Sequence, residues 1–536
     1  YTVRVQVCAD GSDDSCRGYP AANPTVYKPV GLLQEYGEDN PERMAFGLLS
    51  GSYAKNTSGG VLRKNIGPFA KEGDATSEIN LATGQFNSSV VGIAKTLDRF
   101  KIVDFGGRYA YGCGWITTRP INEGECYMWG NPVGEMMYET LRYFAGKPTT
   151  SSPAPTSDFD YSGTTQDSTL GLPKATWQYP FRPVANGGYS GSKCFMLTIS
   201  DLPSYDSDKV PGSSFNSFTS DITSSYMNAT TLANTIWAGE PDDNNGNPKF
   251  IGQSGSLSDN APTPKAVSGF GTIRGLAPEE PTKQGSFYSS AMAYYGNAYG
   301  LSGNAPETNK AVKQRVETLS VVLSSPLPRI VIPVGGKTIT LVPFAKSVGG
   351  SGISAAAAAF QPTDQIVDFY VEKIVNDGGV SDPSVNGGRP YGKFRVNYED
   401  VEQGADHDMD AIVIYEFFVN ADDTVTVTLT SEYAAGGIIQ YMGYVMSGTD
   451  GQDGVYLEVR DTDTAANSDP IYHASTPTAT TTDARGMTLN RADWPSDYWN
   501  YRDSVTNEHL KLIATRKFKV ATTGSLGSAG RSEECR

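Results

Sequence analysis

Beyond about residue 303 the chain changes grammar, and this change constrains the fold more than any other feature. Nine short apolar runs follow one another, at residues 329–334, 337–344, 366–374, 393–398, 411–419, 424–430, 438–445, 455–459 and 512–520, with Gly, Asp and Asn turns between them. Short strands punctuated in this way cover a common core in pairs of sheets, so residues 304–536 are expected to form a β-sandwich-like domain. Residues 1–303 read differently. Val3, Val5 and Val7 alternate on one face of an extended run, and Val90, Ile93, Ala94 and Leu97 share one helical face. The strongest helix spans residues 132–144: Pro132 suits the first turn, Glu135 favours the positive end of the dipole, and Val133, Met137, Leu141 and Phe144 form an apolar stripe. Residues 195–199 make a buried-type strand that ends in Ser200 and Asp201. Strand, helix and strand in this order predict an open α/β sheet with the 195–199 strand lying centrally and the helix stripe packed on it. Residues 213–281, rich in Ser, Asn, Asp and Gly, read as an irregular surface insertion with one short helix near 229–237, and 289–299 as a further helix. The expected class is α+β and multi-domain.

Charge and hydropathy exclude several functions. Against 43 Lys and Arg stand 59 Asp and Glu, a formal net charge of −16, and no basic face is visible that could neutralise a phosphate backbone, so no nucleic-acid partner is expected. No run approaches the roughly 18 apolar residues of a membrane helix. The best stretch, 330–345, is interrupted by Pro333, Gly335, Gly336, Lys337 and Pro343. Tyr1 stands inside the alternating run, so the sequence reads as a piece of a longer or processed product. Six cysteines fall as Cys8 and Cys16, Cys113 and Cys126, and Cys194 and Cys535, without CxxC spacing or a neighbouring His. That pattern suits disulfides and an extracellular location better than zinc. Six thiols allow fifteen pairings; the two local loops are favoured, and Cys194 with Cys535 are the two left over.

Enzymatic chemistry has little support. His407, His473 and His509 are the only histidines, and no GxSxG, HExxH or phosphate-binding loop occurs. Paired carboxylates of a hydrolase are not singled out by spacing. The segment between two expected strands, residues 398–410, is the exception among the acidic stretches. Glu399, Asp400, Asp406, Asp408 and Asp410 crowd into it, and Asp406, Asp408 and Asp410 share one side of an extended chain. Converging carboxylates repel unless a cation lies among them, and hard oxygen donors beside Gly404 suit calcium. The competing reading is a solvated acidic hairpin tip. Residues 242–245 and 450–453 lack the ordered ligand spacing and read as turns.

Several segments carry a resemblance. VRVQVC, YKPVGLLQEYG, RMAFGLLSGSY and GGVLRKNIG, then NPVGEMMYETLRYF at 131–144 and CFMLTISDLPSYDSDKVPG at 194–212, resemble the PilC/PilY family of type IV pilus tip adhesins. LPRIVIPVGGKTITLVPFAKSVGG and FRVNYEDVEQGADHDMDAI are similar to the middle part of such proteins. The resemblance implies an interrupted von Willebrand factor A-like domain over residues 1–303. Its metal loop would precede the VRVQVC strand, Asn131 would stand where the pattern has a Thr, and Asp201 would match the Asp at a later strand end. Asn131 reads equally as a helix cap, and Asp201 as a cap of the turn at Pro203. The propeller of the family is not found in this sequence. The implied function is a secreted, non-enzymatic tip component that promotes pilus assembly, attachment to a host or abiotic surface, and twitching motility, with minor pilins as partners. A free-standing calcium-dependent extracellular module, binding carbohydrate or protein and unrelated to pili, is the alternative.

Overall fold

The structure is a computed structural model, and it describes residues 7–9, 11, 15–20, 25–38, 43–52, 55–58, 60–100, 123, 131–147, 165–200, 208–222, 224–240, 249–275, 285–301, 314–322, 328–348, 364–400, 409–434, 439–450, 452, 454–461, 480–482, 488–490 and 513–521. In the first part, β1 (Phe46–Gly51) and β2 (Gly60–Gly67) form an antiparallel hairpin. The helix α1 (Val133–Phe144) follows, then β3 (Cys194–Ser200), α2 (Ala229–Gly239), α3 (Tyr288–Ala298) and β4 (Val316–Val322). β3 and β4 run parallel, in register from Cys194 opposite Val316 to Ser200 opposite Val322. Among the described residues β4 is the one strand paired with β3, so the strand expected at the centre of a sheet has a single described neighbour.

The stripe Val133, Met137, Leu141 and Phe144 is buried as its spacing predicts, but α1 is buried well beyond that stripe. Tyr138, Tyr143, Glu135, Glu139 and Arg142 are also out of water. The polar side of the helix survives burial because its charges are paired: Arg142 donates to Glu139 at 2.9 Å and to Asp221 at 2.8 Å, and its guanidinium lies over the Trp177 ring. One face of the parallel pair carries Cys194, Met196 and Val316 into this core. The other face leaves Phe195, Leu197, Ile199, Leu319 and Val321 exposed.

The stretch 213–281 differs from the expected surface insertion. It contributes Phe218, Ile222, Met227, Leu232, Ala233, Trp237, Ile251, Phe270 and Ile273 to the same core, and its strands Lys249–Ser254, Leu257–Lys265 and Ile273–Arg274 form a three-stranded sheet. Its apolar residues stand at most three in succession among polar ones, so no longer run signals a core. Helix and turn geometry nevertheless turns them inward. Asn228 caps α2, accepting from the Thr231 N–H, and so turns Leu232, Ala233 and Trp237 toward the core.

All nine strands expected in the second part are present. β5 (Ile330–Val334), β6 (Lys337–Val348), β11 (Ile439–Ser447) and β12 (Gly454–Asp461) form one antiparallel sheet in the order β5-β6-β11-β12. β7 (Asp364–Val375), β8 (Tyr391–Asp400), β9 (Ala411–Val419), β10 (Thr424–Ala434) and β13 (Ile513–Lys519) form the other, in the order β7-β8-β9-β10-β13. Strand alternation fills one core from both sheets: Phe394, Val396, Val413, Phe417, Val427 and Leu429 from one, Ile332, Ile339, Leu341, Met442 and Val459 from the other. Polar stitches cross that core. The hydroxyl of Tyr415 on β9 donates to the Gly443 carbonyl on β11 at 2.8 Å and meets the Tyr398 hydroxyl at 2.7 Å. Arg516 of β13 pairs with Glu458 of β12, which also accepts from the Tyr444 hydroxyl at 3.1 Å.

Candidate functional site

Two places gather polar side chains that the sequence singles out. The first lies where β3 ends and α1 begins. The end of β3 and the start of α1, which precedes it in the chain, bring Ser200 and Asn131 together, and the Asn131 amide donates to Ser200 Oγ at 2.8 Å. The N-cap position is Pro132, which has no side-chain oxygen, so Asn131 serves as a link to the strand end rather than as the cap. Asp201 lies outside the described residues. In the first turn of α1 the buried Glu135 accepts from the Lys209 N–H at 2.8 Å. The Lys209 ammonium bonds Thr57 Oγ1 at 2.7 Å and Glu123 at 3.0 Å, and Glu123 accepts in turn from the Thr57 N–H and the Ser58 hydroxyl. Burial alone would raise the Glu123 carboxyl, but the Lys209 charge and these hydrogen bonds outweigh it and hold the group below the usual carboxylate range. At the neighbouring Asp208, burial wins and pushes the carboxyl up despite the Arg274 guanidinium at 2.8 Å. Both carboxylates thus already face a fixed cation, which makes this place an ion-pair lattice bracing the start of α1.

The second place is the outer face of β8. Phe394, Val396 and Tyr398 point into the sandwich, so alternation sends Asn397 and Glu399 to the opposite side. Both are nevertheless buried, at 6% and 2% exposure. The chain returns over them at Met409, whose φ of +59° turns its N–H to Glu399 Oε2 at 3.1 Å. The Asp410 N–H then reaches the Tyr398 carbonyl at 2.8 Å and β9 begins. The Asn397 amide nitrogen lies 3.4 Å from Asp368 Oδ2 on β7 and 3.4 Å from Met409 Sδ. Of the expected calcium ligands, Glu399 and Asp410 are described and buried. Asp400 is described as backbone, paired with Asp364 across the ladder, and Asp406 and Asp408 lie outside the described residues. Among the described residues no three His, Cys, Asp or Glu side chains gather as a metal centre would require. Asn397 was not singled out by the sequence, although it stands two residues before Glu399 on the same strand face.

Cys8 and Cys16 form a disulfide that ties the segment before the strand Cys16–Tyr19. Cys194 is buried at the start of β3 as a free thiol, which burial pushes up to about 12. Its suggested partner Cys535, like Cys113 and Cys126, lies outside the described residues. Among the described residues no helix is long and apolar enough to cross a membrane.

Comparison with known proteins matches two segments of the chain. The family described as "PilY1 homolog, second domain" matches residues 46–296, and "PilY1 homolog, beta-sandwich" matches residues 332–494. A type IV pilus biogenesis factor PilY1 homolog of Xylella fastidiosa (strain Temecula1 / ATCC 700964) is 48% identical over 487 residues, covering 86% of this chain and 31% of its own length. The chain therefore spans about a third of the length of that curated relative. No solved structure matches.

Proposed function

This chain belongs to the PilY1 homolog family, and from that membership we propose that it acts in type IV pilus biogenesis as a non-enzymatic, extracellular component at the pilus tip. The observation that carries the reading is the 48% identity to a pilus biogenesis factor over 86% of the chain, with the two family segments in the same chain as two separate cores. Minor pilins are the proposed partners, and attachment to a host or abiotic surface and support of twitching motility the proposed roles. The physical character of the sandwich supports such a load-bearing part: long antiparallel ladders, with ion-pair and tyrosine stitches between the sheets. The von Willebrand factor A-like fold of the first part belongs to the same proposal, supported by a parallel strand pair with α1 and α3 on one face and by the Asn131 link to the end of β3. So does calcium held by Glu399, Asp400, Asp406, Asp408 and Asp410, in a structural role that ties β8 to β9.

Deleting the gene should abolish surface pili and twitching, and a wild-type copy should restore both. A deletion strain with undiminished surface pilin would overturn the reading. Immunogold labelling of this chain along the sides of pili, instead of at their ends, would remove the tip assignment alone.

A further inference from the structure

The parallel pair β3–β4 turns a continuous apolar face to solvent. In register, Phe195 lies beside Glu317, Leu197 beside Leu319 and Ile199 beside Val321. The five apolar residues among them are 42% to 73% exposed. Single exposed apolar residues need no explanation, but these five adjoin on two neighbouring strands. Parallel strands occur with both faces covered, because the crossovers that join them lay helices on the sheet. The inner face obeys that rule: α1 and α3 pack on it, and Gly296 of α3 lies against both Val316 and Leu141. The outer face does not, and among the described residues the far edge of β3 has no strand either. Two parallel strands with a bare face and an open edge are an unfinished part of a larger α/β layer.

Size, shape and charge say what completes it. Strands of seven residues, at about 3.3 Å per residue and about 4.8 Å apart, offer a face about 20 Å long and about 10 Å wide. One α-helix of about 14 residues, about 10 Å across, fits that outline. In a right-handed crossover the covering helix runs antiparallel to the strands, so its last turn lies over the start of β4. Glu317 stands there, exposed and held by no ion pair among the described residues. A helix C-terminus beside that carboxylate calls for Lys or Arg in the last turn. The described helices long enough for this role, α1, α2 and α3, already turn their apolar residues into the inner core. The family segment that holds β3 is described as a second domain, and the matched 487 residues make up only 31% of the curated relative.

We propose that the face formed by Phe195, Leu197, Ile199, Leu319 and Val321 is the seat of an amphipathic α-helix, basic in its last turn, supplied by the same polypeptide from outside these 536 residues. The inference stands on the strand pair and goes beyond the pilus reading, which survives if it fails. Docking of that helix joins the first core to the rest of the protein, so the stability of the two is coupled through β3 and β4.

The test is iodoacetamide labelling of Leu197→Cys, located by peptide mapping, in the 536-residue chain and in the protein as its gene encodes it. The introduced thiol should react freely in the 536-residue chain and at least about tenfold more slowly in the longer, monomeric protein. Leu319→Lys and Glu317→Lys should leave the thermal midpoint of the 536-residue chain near wild type and lower that of the longer protein. Equal labelling in the two proteins would overturn the proposal, as would a gene product no longer than this chain. Protection already present in the monomeric 536-residue chain would assign the cover to a segment within it, and protection that disappears as a dimer dissociates would assign it to a second copy; either result overturns the proposed source. An unchanged midpoint for Glu317→Lys in the longer protein would overturn the direction of the helix. If Leu197→Cys fails to fold there, as judged by circular dichroism, Val321→Cys decides: labelling as fast as in the 536-residue chain would sink the idea.

Discussion

Asn386 shows how much a single side chain can hold in place. It adopts φ +48° and its amide donates to the Pro390 and Val419 carbonyls, both at 2.9 Å, closing the loop between β7 and β8 against the end of β9. Asn386→Ala should cost roughly 2–3 kcal/mol in chemical denaturation, from lost hydrogen bonds and left-handed strain together, while Asn386→Gly should recover about 1 kcal/mol of that by removing the strain. Cys194 makes a different prediction. A thiol pushed up to about 12 by burial stays protonated at neutral pH and is shielded as well. Native protein should leave it unmodified by iodoacetamide at pH 8, with rapid alkylation after unfolding; labelling of the folded chain at Cys194 would contradict the burial. Glu123 supplies a pH dependence. Its carboxyl lies below the usual range in the fold, so its contribution is present above the unfolded value near about 4.3 and is lost as pH falls through the folded one. Glu123→Gln should flatten the loss of thermal midpoint on acidification below about pH 4.3, and an unchanged slope would show the Lys209 contact to be inconsequential. The Asn386–Val419 and Lys209–Glu123 contacts could not be read from neighbouring residues, because they join groups 33 and 86 residues apart in the chain.

Among elements, α1 was the most legible and still only partly read. Its stripe and its first-turn Pro and Glu fixed a helix and one buried face, whereas the burial of Arg142 depends on Asp221, 79 residues away. Leu141→Ala should destabilise the first core by about 2–5 kcal/mol, as truncation of a fully buried leucine does. In the sandwich, Gly392 is required by contact: a Cβ there would come within 2.3 Å of the Phe417 ring, which is stacked on Phe394 and cannot withdraw. Gly392→Ala should therefore cost about 1–3 kcal/mol by overpacking, read as a lower denaturation midpoint, and Gly392→Ala with Phe417→Leu should return part of it. The strands β5 to β13 were visible because alternation and turn residues are local properties. Residues 213–281 were misread because their apolar residues form no run longer than three, and only their packing on α3 and α1 turns them inward.

At the scale of the whole molecule, the two larger clusters of buried apolar residues among the described residues span Leu62 to Val316 and Ile330 to Val520, with no residue in common, and Phe69, Ala70 and Ile79 form a small third one. Calorimetry should therefore resolve two unfolding transitions, and Leu141→Ala should move one of them by several degrees and leave the other in place. A single transition shifted as a whole would mean that the two cores fold as one unit. The amino-acid sequence by itself determined the all-β character of the second part, the position of α1 and the acidic segment before β9, since each is written in periodicity, turn chemistry or charge along a short stretch. Which strands are neighbours, which polar groups are buried and who neutralises them was decided only by tertiary structure. Lys209 meets Glu123, Arg516 meets Glu458, and Asn397 turns beneath Met409 with its oxygen unmet, because desolvation couples groups by their distance in space and takes no account of their separation along the chain.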